Sequence, residues 1–271
     1  MFYKDFFVSI KLVKKTLSNK YFSFDAIAML PSKDEYPDIK GQWGLFTHGY
    51  TASKTDCLPW AQRVADNGAP AVFFDLPGHY LGGFHEVQSF EEFKSHVEEC
   101  FIDAYQFLDS ALKSNGYQSQ CEKVILGGHS LGAMLSLKAL KLPFFSDKET
   151  LAICVGLGIS QSTDTHLFES AFYQKTLNIR RQLVSSAIDS DIIFPWIKDE
   201  KVNVDLTGKR IHLITGQDDL VVGSGGMAAL ETTLIELGNE VSSNEPKKLP
   251  HHEPTMAASH VNAFLRKELS W

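Results

Sequence analysis

The sequence contains little cysteine. Its 271 residues include four, Cys57, Cys100, Cys121 and Cys154, and no two of them form a C-x-x-C pair. This scarcity excludes a disulfide framework, and the spacing offers no credible zinc site. We therefore interpret all four as reduced thiols, and we expect a cytoplasmic protein that holds no metal.

Long apolar segments are also missing. No apolar run approaches the roughly 18 residues that a membrane-spanning helix needs. The first residues, MFYKDFFVSIKLVKK, mix charges among the apolar side chains, so they lack the uninterrupted apolar core of a signal peptide. The sequence predicts neither a transmembrane segment nor secretion.

Basic clusters are equally scarce. The chain has 26 basic and 33 acidic residues, which gives a formal net charge of −7. A nucleic-acid site needs a basic stripe, whereas only short pairs such as Arg180-Arg181 occur here, and we interpret these as solvated surface. We expect no nucleic-acid partner. The chain has neither a G-x-G-x-x-G dinucleotide fingerprint nor a P-loop lysine, and we expect no cofactor.

Short unbroken apolar runs alternate with helical periodicity from residue 43 onward. Strands buried on both faces are indicated by WGLFTHG, APAVFFD, KVILGG, LAICVGLG and RIHLITG. Helical spacing predicts helices at 58–67, 90–112, 131–142, 227–237 and 254–269. This order predicts an α/β fold with a doubly wound, mostly parallel sheet flanked by helices.

Two regions depart from this alternation. Residues 6–13 and 21–30 alternate in polarity and predict an N-terminal antiparallel strand pair. Residues 159–208 hold no clear strand, and a connection of that length is expected to have structure of its own. We expect a single domain over residues 1–271 with a small helical cap inserted at approximately 159–208. An ordinary crossover helix with long loops is the alternative.

The strongest local motif is Gly128-His129-Ser130-Leu131-Gly132, which matches G-x-S-x-G. A predicted strand precedes it and a helix follows, so the two glycines allow a sharp turn with Ser130 at its tip. The hydroxyl then lies beside a helix N-terminus, whose free N–H groups can stabilise an oxyanion. We predict that Ser130 is a nucleophile, and a glycine-rich turn with an N-cap serine is the alternative.

With this motif in place, the chain resembles serine hydrolases of the α/β-hydrolase family, in the branch of esterases and acyl hydrolases. Four elements carry the resemblance, in this order: HGY at 48–50, FFDLPGH at 73–79, GGHSLGA at 127–133, and GQDD at 216–219 followed by a C-terminal histidine. The family's chain order is nucleophile, acid and base. It implies an acid at Asp218 or Asp219 and a base at His251 or His252.

The resemblance favours one residue of each pair. Family members often carry valine three residues after the acid, which favours Asp219. Some esterases have a glutamate directly after the histidine, which favours His252. The resemblance further implies that Leu131 and Tyr50 supply the two N–H groups of an oxyanion hole, and that His48 braces a loop.

The activity that the resemblance implies is hydrolysis of a small-molecule carboxylic ester or thioester. The imidazole of a Ser-Asp-His triad takes the serine proton during attack, and the aspartate holds the required tautomer. Four aromatic residues of the inserted segment are expected to line an apolar substrate pocket: Phe168, Phe172, Phe194 and Trp196. A non-catalytic binder of the same fold and an acyltransferase are the alternatives. The oligomeric state is left open by the sequence.

Overall fold

Eight strands form one sheet in the part of the chain that the structure, a computed structural model, describes: residues 10–118, 120–159 and 171–271. They are β1 (Lys11–Ser18), β2 (Ser23–Leu30), β3 (Gln42–Thr47), β4 (Ala71–Phe74), β5 (Lys123–His129), β6 (Glu149–Val155), β7 (Arg210–Ile214) and β8 (Glu240–Asn244). Their order across the sheet is β1-β2-β4-β3-β5-β6-β7-β8. The β1–β2 and β2–β4 pairs are antiparallel, and the others are parallel. The predicted α/β fold and its antiparallel N-terminal pair are thereby confirmed.

Helices cover both faces of this sheet. They are α1 (Leu58–Asp66), α2 (Phe90–His96), α3 (Cys100–Ser114), α4 (Leu131–Ala139), α5 (Ala171–Arg181), α6 (Ser190–Val202), α7 (Gly226–Glu236) and α8 (Ala258–Glu268). Side chains of α3, α4 and α7 belong to one hydrophobic core, and those of α1 and α8 belong to the other. Strand β5 contributes to both, because Val124 and Leu126 lie in the first core and Ile125 in the second. Alternation within one strand thus links the two layers.

The first described strand ends later than the sequence predicts. It spans Lys11–Ser18, whereas the predicted strand ends at residue 13, and residues 6–9 of that prediction lie outside the described part of the chain. The position of the turn sets this register: the side-chain oxygen of Asn19 accepts hydrogen bonds from the N–H groups of Tyr21 and Phe22, each at 2.8 Å. The strands pair outward from that turn, so polarity alternation alone cannot locate the end of β1.

The long helix predicted over residues 90–112 is two helices. A short 3₁₀ turn at Val97–Glu99 separates α2 from α3, and His96 before it has φ −136° and ψ −4°, outside the helical range. Phe93, Val97 and Phe101 nevertheless pack in the same core. The apolar period therefore continues across the break, which is why periodicity could not reveal it.

The edge strand β8 has no counterpart in the sequence prediction. Its sequence, EVSSN, contains one large apolar residue, Val241, and its side chains are mostly exposed. It pairs in parallel with β7 all the same. Backbone hydrogen bonds to β7 hold β8 at the exposed edge of the sheet. The strand therefore does not need the apolar pattern that indicates a buried strand.

The segment between β6 and β7 contains α5 and α6, joined through a short helical turn at Ser186–Ile188. Ile193 and Trp196 of α6 are buried in the same core as α4. Residues 160–170 lie outside the described part of the chain. None of the described helices is both long and apolar enough to cross a membrane.

Candidate active site

Ser130 lies in the turn between β5 and α4. Its backbone angles, φ 51° and ψ −109°, fall where residues other than glycine are seldom found. A Cβ on Gly128 would lie 2.3 Å from the backbone carbon of Gly132, and one on Gly132 would lie 2.5 Å from the carbonyl oxygen of His48. Both glycines are therefore steric requirements of a turn that presents Ser130 at the carboxyl end of β5.

Ser130, His251 and Asp219 form a hydrogen-bonded series. Ser130 Oγ lies 3.1 Å from His251 Nε2, and His251 Nδ1 lies 2.8 Å from Asp219 Oδ2. An ionised carboxylate can only accept a hydrogen bond, so Nδ1 carries the proton and Nε2 accepts from the Ser130 hydroxyl. This arrangement allows a proton to move from the serine to the imidazole.

The two neighbouring aspartates have different partners. Asp219 is 4% exposed, and its Oδ1 accepts hydrogen bonds from the N–H groups of Val221 at 3.0 Å and Val222 at 2.9 Å. Asp218 instead accepts from the N–H of Leu249 at 2.8 Å, which ties the loop before the histidines to the loop after β7. The structure thus brings Asp219, the aspartate that the sequence favours, to the imidazole.

Of the two neighbouring histidines, the one that contacts the serine is not the one that the sequence favours. His252, which the sequence favours, makes no hydrogen bond to Ser130 or Asp219 in the part of the chain that the structure describes, and His251 makes both. The ring centroid of His252 lies 5.5 Å from that of His251, with the rings perpendicular. Burial, followed by the neighbouring imidazole of His251, lowers the pKa of His252. A following glutamate therefore does not indicate which ring turns toward the serine.

The loop after β3 lies against Ser130. A Cβ on Gly49 would be 3.3 Å from the Cβ of Ser130. The N–H of Tyr50, the next residue, donates to no backbone carbonyl of the described chain. The N–H of Leu131 is the first of α4, and the first N–H groups of a helix have no acceptor within that helix. Leu131 follows Ser130 directly in the chain, and Tyr50 follows Gly49, whose Cα lies close to Ser130.

His48 fixes the shape of this loop. Its imidazole is fully buried, and Nδ1 donates to the carbonyl of Gly49 at 2.7 Å while Nε2 accepts from the N–H of Leu76 at 2.9 Å. Burial lowers the pKa of His48 to about 4. The neutral ring can donate and accept at once, so it joins the loops that follow β3 and β4. The buried Asp75 beside it pairs with Lys54.

A cavity of about 760 Å³ opens above Ser130. That volume is typical of sites for small organic molecules. Helices α5 and α6 supply one wall, and loops at the carboxyl ends of the strands, including those after β3, β6, β7 and β8, supply the rest of the described lining. The apolar and aromatic lining includes Tyr50, Leu81, Leu157, Tyr173, Ile179, Leu183, Phe194, Ile197, Val221 and Val222. Among the described residues, no cluster of three or more histidine, cysteine or acidic side chains could hold a metal ion.

The four aromatic residues expected in a pocket have different positions. Phe194 lines the cavity. Trp196 does not: it packs edge-on against Phe90 and Phe93, and its Nε1 donates to Glu200 at 2.8 Å. Side chains two residues apart on a helix, such as Phe194 and Trp196, lie on nearly opposite faces. Trp196 therefore belongs to the scaffold. Phe168 and the side chain of Phe172 lie outside the described part of the structure.

Two cations of the cavity are absent from the sequence prediction. Arg180 of α5 and Lys201 of α6 both line the cavity. The pair Arg180-Arg181 was expected to be solvated surface, and only Arg181 fits that expectation, since it pairs with Asp189 and Asp191. The rotation of α5 about its axis decides which residue of the pair faces the cavity. The sequence does not give that rotation.

Known structures with the same architecture include several hydrolases. An esterase of the bacterial hormone-sensitive lipase family shares 17% identity over 95% of this chain and 84% of its own, with a TM-score of 0.59. An esterase of Pyrobaculum calidifontis shares 14% identity over 96% and 85%, with a TM-score of 0.65. The 2-hydroxy-6-oxo-6-phenylhexa-2,4-dienoate hydrolase of Rhodococcus sp. strain RHA1 shares 12% identity over 97% and 100%, with a TM-score of 0.62. At these identities the likeness concerns the fold.

Sequence comparison supplies the family. No curated protein matches the chain significantly. The sequence model described as the alpha/beta hydrolase family matches residues 45–221, which is more than half of the chain. The matched region begins within β3, shortly before Tyr50, and ends in the loop that contains Asp219. The chain belongs to the alpha/beta hydrolase family.

Proposed function

We propose that this protein is a serine hydrolase that cleaves a carboxylic ester or thioester through an acyl-enzyme. The observation that carries the proposal is the continuous series from Ser130 Oγ through His251 to Asp219, with separations of 3.1 and 2.8 Å. A serine hydroxyl is a weak nucleophile until a neighbouring base accepts its proton. We assign this role to His251 rather than His252, because His251 Nε2 lies 3.1 Å from Ser130 Oγ.

In the proposed reaction, Ser130 Oγ attacks the substrate carbonyl while His251 Nε2 takes the hydroxyl proton. Asp219 stabilises the imidazolium that forms and keeps the ring in the required orientation. As the tetrahedral intermediate collapses, the bond to the leaving group breaks and the imidazolium donates its proton to that group. Water then attacks the acyl-enzyme by the same route, with His251 as base, and releases the acid and free Ser130.

The negative charge of the tetrahedral intermediate needs donors that are oriented before the reaction begins. We assign this role to the backbone N–H groups of Leu131 and Tyr50. The sharp turn at Ser130 supports the first assignment, because it places the nucleophile next to the start of α4. The close approach of Gly49 supports the second. His48 is then a positioning residue, since it holds the loop that carries Tyr50.

We further propose that α5 and α6 act as a cap over the site within a single domain spanning residues 1–271. Support comes from the cavity, whose lining includes Tyr173 of α5 and Phe194 of α6 together with Ser130. A cap of this kind excludes water from part of the site and shapes the space for the acyl or leaving group. The aromatic lining favours esters with apolar acyl or leaving groups over small polar esters.

The test is hydrolysis of neutral p-nitrophenyl esters from acetate to octanoate, with Ser130→Ala in parallel. We expect turnover by the wild type and a loss of about 10⁴-fold or more in kcat in the variant. A fluorophosphonate probe should label the wild type and not the variant. Turnover that survives in Ser130→Ala would refute the nucleophile. Absence of both turnover and labelling would favour a non-catalytic member of the family.

A further inference from the structure

The cavity above Ser130 contains two cationic side chains with no anionic partner among the described residues. Arg180 is held by neutral groups: its Nη1 donates to Thr51 Oγ1 at 2.9 Å, its Nε donates to Thr176 Oγ1 at 3.3 Å, and the guanidinium lies 4.9 Å from the ring centroid of Tyr173. No carboxylate of the described chain lies within ion-pair distance of it. Since a guanidinium has five N–H donors, several remain available to a ligand.

Lys201 is the second cation. It makes no ion pair or hydrogen bond within the described residues, and burial lowers its pKa to about 8. Glu98 and Glu200 line a smaller cavity that Lys201 also borders, and both pair with Lys138. Asp219 is close enough to favour the charged lysine, but its oxygens are bonded to His251 and to two backbone N–H groups. Lys201 thus remains charged at neutral pH without a committed partner.

The described residues add little negative charge to the cavity. Among them, Asp56 is the acidic residue in its lining, and burial together with Glu253 raises its pKa. Both cations are partly buried, and removing a cation from water without a counter-charge is costly, so this cavity is suited to a ligand that brings an anion. A planar guanidinium matches a carboxylate particularly well, because the two form parallel hydrogen bonds.

We propose that the substrate carries a carboxylate away from its scissile carbonyl, and that Arg180 and Lys201 bind this carboxylate. This inference rests on the proposed hydrolase function and names the class of substrate: a half-ester or half-thioester of a dicarboxylic acid, or an ester whose leaving group is acidic. The two cations select this anion, and the aromatic lining contacts the carbon chain between it and Ser130.

The test compares substrates that differ by a single charge. Mono-p-nitrophenyl esters of adipic, pimelic and suberic acid are each paired with the same compound methylated on the distal carboxylate. A further pair, 4-acetoxybenzoate and its methyl ester, puts the charge on the leaving group. In at least one pair we expect kcat/KM of the wild type to favour the charged substrate by about tenfold or more. Ratios near one in every pair, with both substrates hydrolysed, would overturn the inference and leave the hydrolase intact.

Variants locate the preference. Arg180→Gln and Lys201→Met should each lower the ratio of charged to neutral substrate, whereas Arg180→Lys should retain part of it because the charge remains. Arg181→Gln and Lys198→Met remove equal charges outside the cavity and should leave the ratio unchanged. A ratio that falls equally in these controls would show a general field effect instead of a binding site. Thermal unfolding of each variant establishes that it is folded.

A separate measurement covers failure of the proposed function. If no ester is hydrolysed, calorimetric titration of the wild type with adipate still tests the two cations. Binding that is lost in Arg180→Gln and retained in Arg181→Gln would preserve the anion site in a non-catalytic protein. Absence of adipate binding in the wild type, together with absence of turnover, would overturn the inference.

Discussion

At the scale of single residues, the candidate site depends on which of two adjacent identical side chains points toward the serine. His251 and His252 have the same chemistry, and both line the cavity. Only His251 reaches Ser130 and Asp219 among the described residues. The difference lies in the course of the loop, which Asp218 holds through the N–H of Leu249. Residue type alone therefore cannot tell which of the two histidines contacts the serine.

We predict that His251→Ala lowers kcat/KM for a neutral p-nitrophenyl ester by about 10⁴-fold or more, because Ser130 then has no base. His252→Ala should lower it by less than about tenfold, through altered packing of the cavity. Steady-state kinetics with both variants gives the comparison directly. If His252→Ala causes the larger loss, the base is His252 and the loop must rearrange when substrate binds.

Much of this site is accessible from sequence, and the remainder has a geometric cause. The glycines at 128 and 132 mark Ser130 because larger residues would collide with the backbone. Asp219 is favoured over Asp218 by the residues that follow it. The choice between His251 and His252 depends on loop torsions, and the inward direction of Arg180 depends on how α5 is rotated about its own axis. Neither of these geometric features produces a recognisable pattern in the local sequence.

At the scale of elements, α6 presents two distinct surfaces. Phe194 faces the cavity and contacts the rings of Tyr50 and Tyr173. Trp196 faces the scaffold and is 5% exposed, with Phe90 and Phe93 against its ring. One helix therefore lines the cavity and packs into the core, and mutations on its two sides should have separable effects.

We predict that Trp196→Ala lowers the free energy of unfolding by about 3 kcal/mol or more, because it leaves a cavity in the core. Phe194→Ala should cost less stability, since the side chain is partly exposed, and should shift the preferred ester toward longer acyl chains. Urea unfolding and a chain-length series measure the two effects. Equal losses of stability in both variants would contradict this division of the helix.

The elements that sequence predicts best are those with a strong burial pattern. The five buried strands are evident as apolar runs, whereas β8 has little apolar surface and the break between α2 and α3 preserves the apolar spacing. Both omissions have one physical origin. Side-chain pattern records which surface is buried, and it is insensitive to backbone pairing at an exposed edge or to a local change of helix axis.

At the scale of the whole molecule, neutral histidines are distributed through the interior. Burial lowers the pKa of His212 to about 4. Its ring stacks on Phe264 of α8 at 3.6 Å, and Nδ1 lies 2.8 Å from Ser242 Oγ. His48 is also held neutral by burial. Because the unfolded chain binds protons at a higher pH than the folded chain, such groups make stability sensitive to acid.

We predict that His212 makes a constant contribution to stability above about pH 6.5 and destabilises the fold progressively as the pH falls toward 4. The contribution over this window is about 1–3 kcal/mol. His212→Gln should therefore reduce the loss of unfolding free energy between pH 7 and pH 4.5, as measured by urea titration at each pH. Ser242→Ala keeps the imidazole and should keep the acid sensitivity. Parallel pH curves for wild type and His212→Gln would contradict the prediction.

The strand order has a consequence for the time course of folding. Ser130 and His251 are 121 residues apart, and Asp219 and His251 are 32 apart. Contacts between distant segments form late, because long loops must close first. The strands β6 and β7 must therefore join β5 before Asp219 and His251 can reach Ser130. On the proposed function, the Ser130 hydroxyl becomes reactive only when these segments have met, so the rate at which a fluorophosphonate labels it during refolding would report that late step rather than the collapse of the chain.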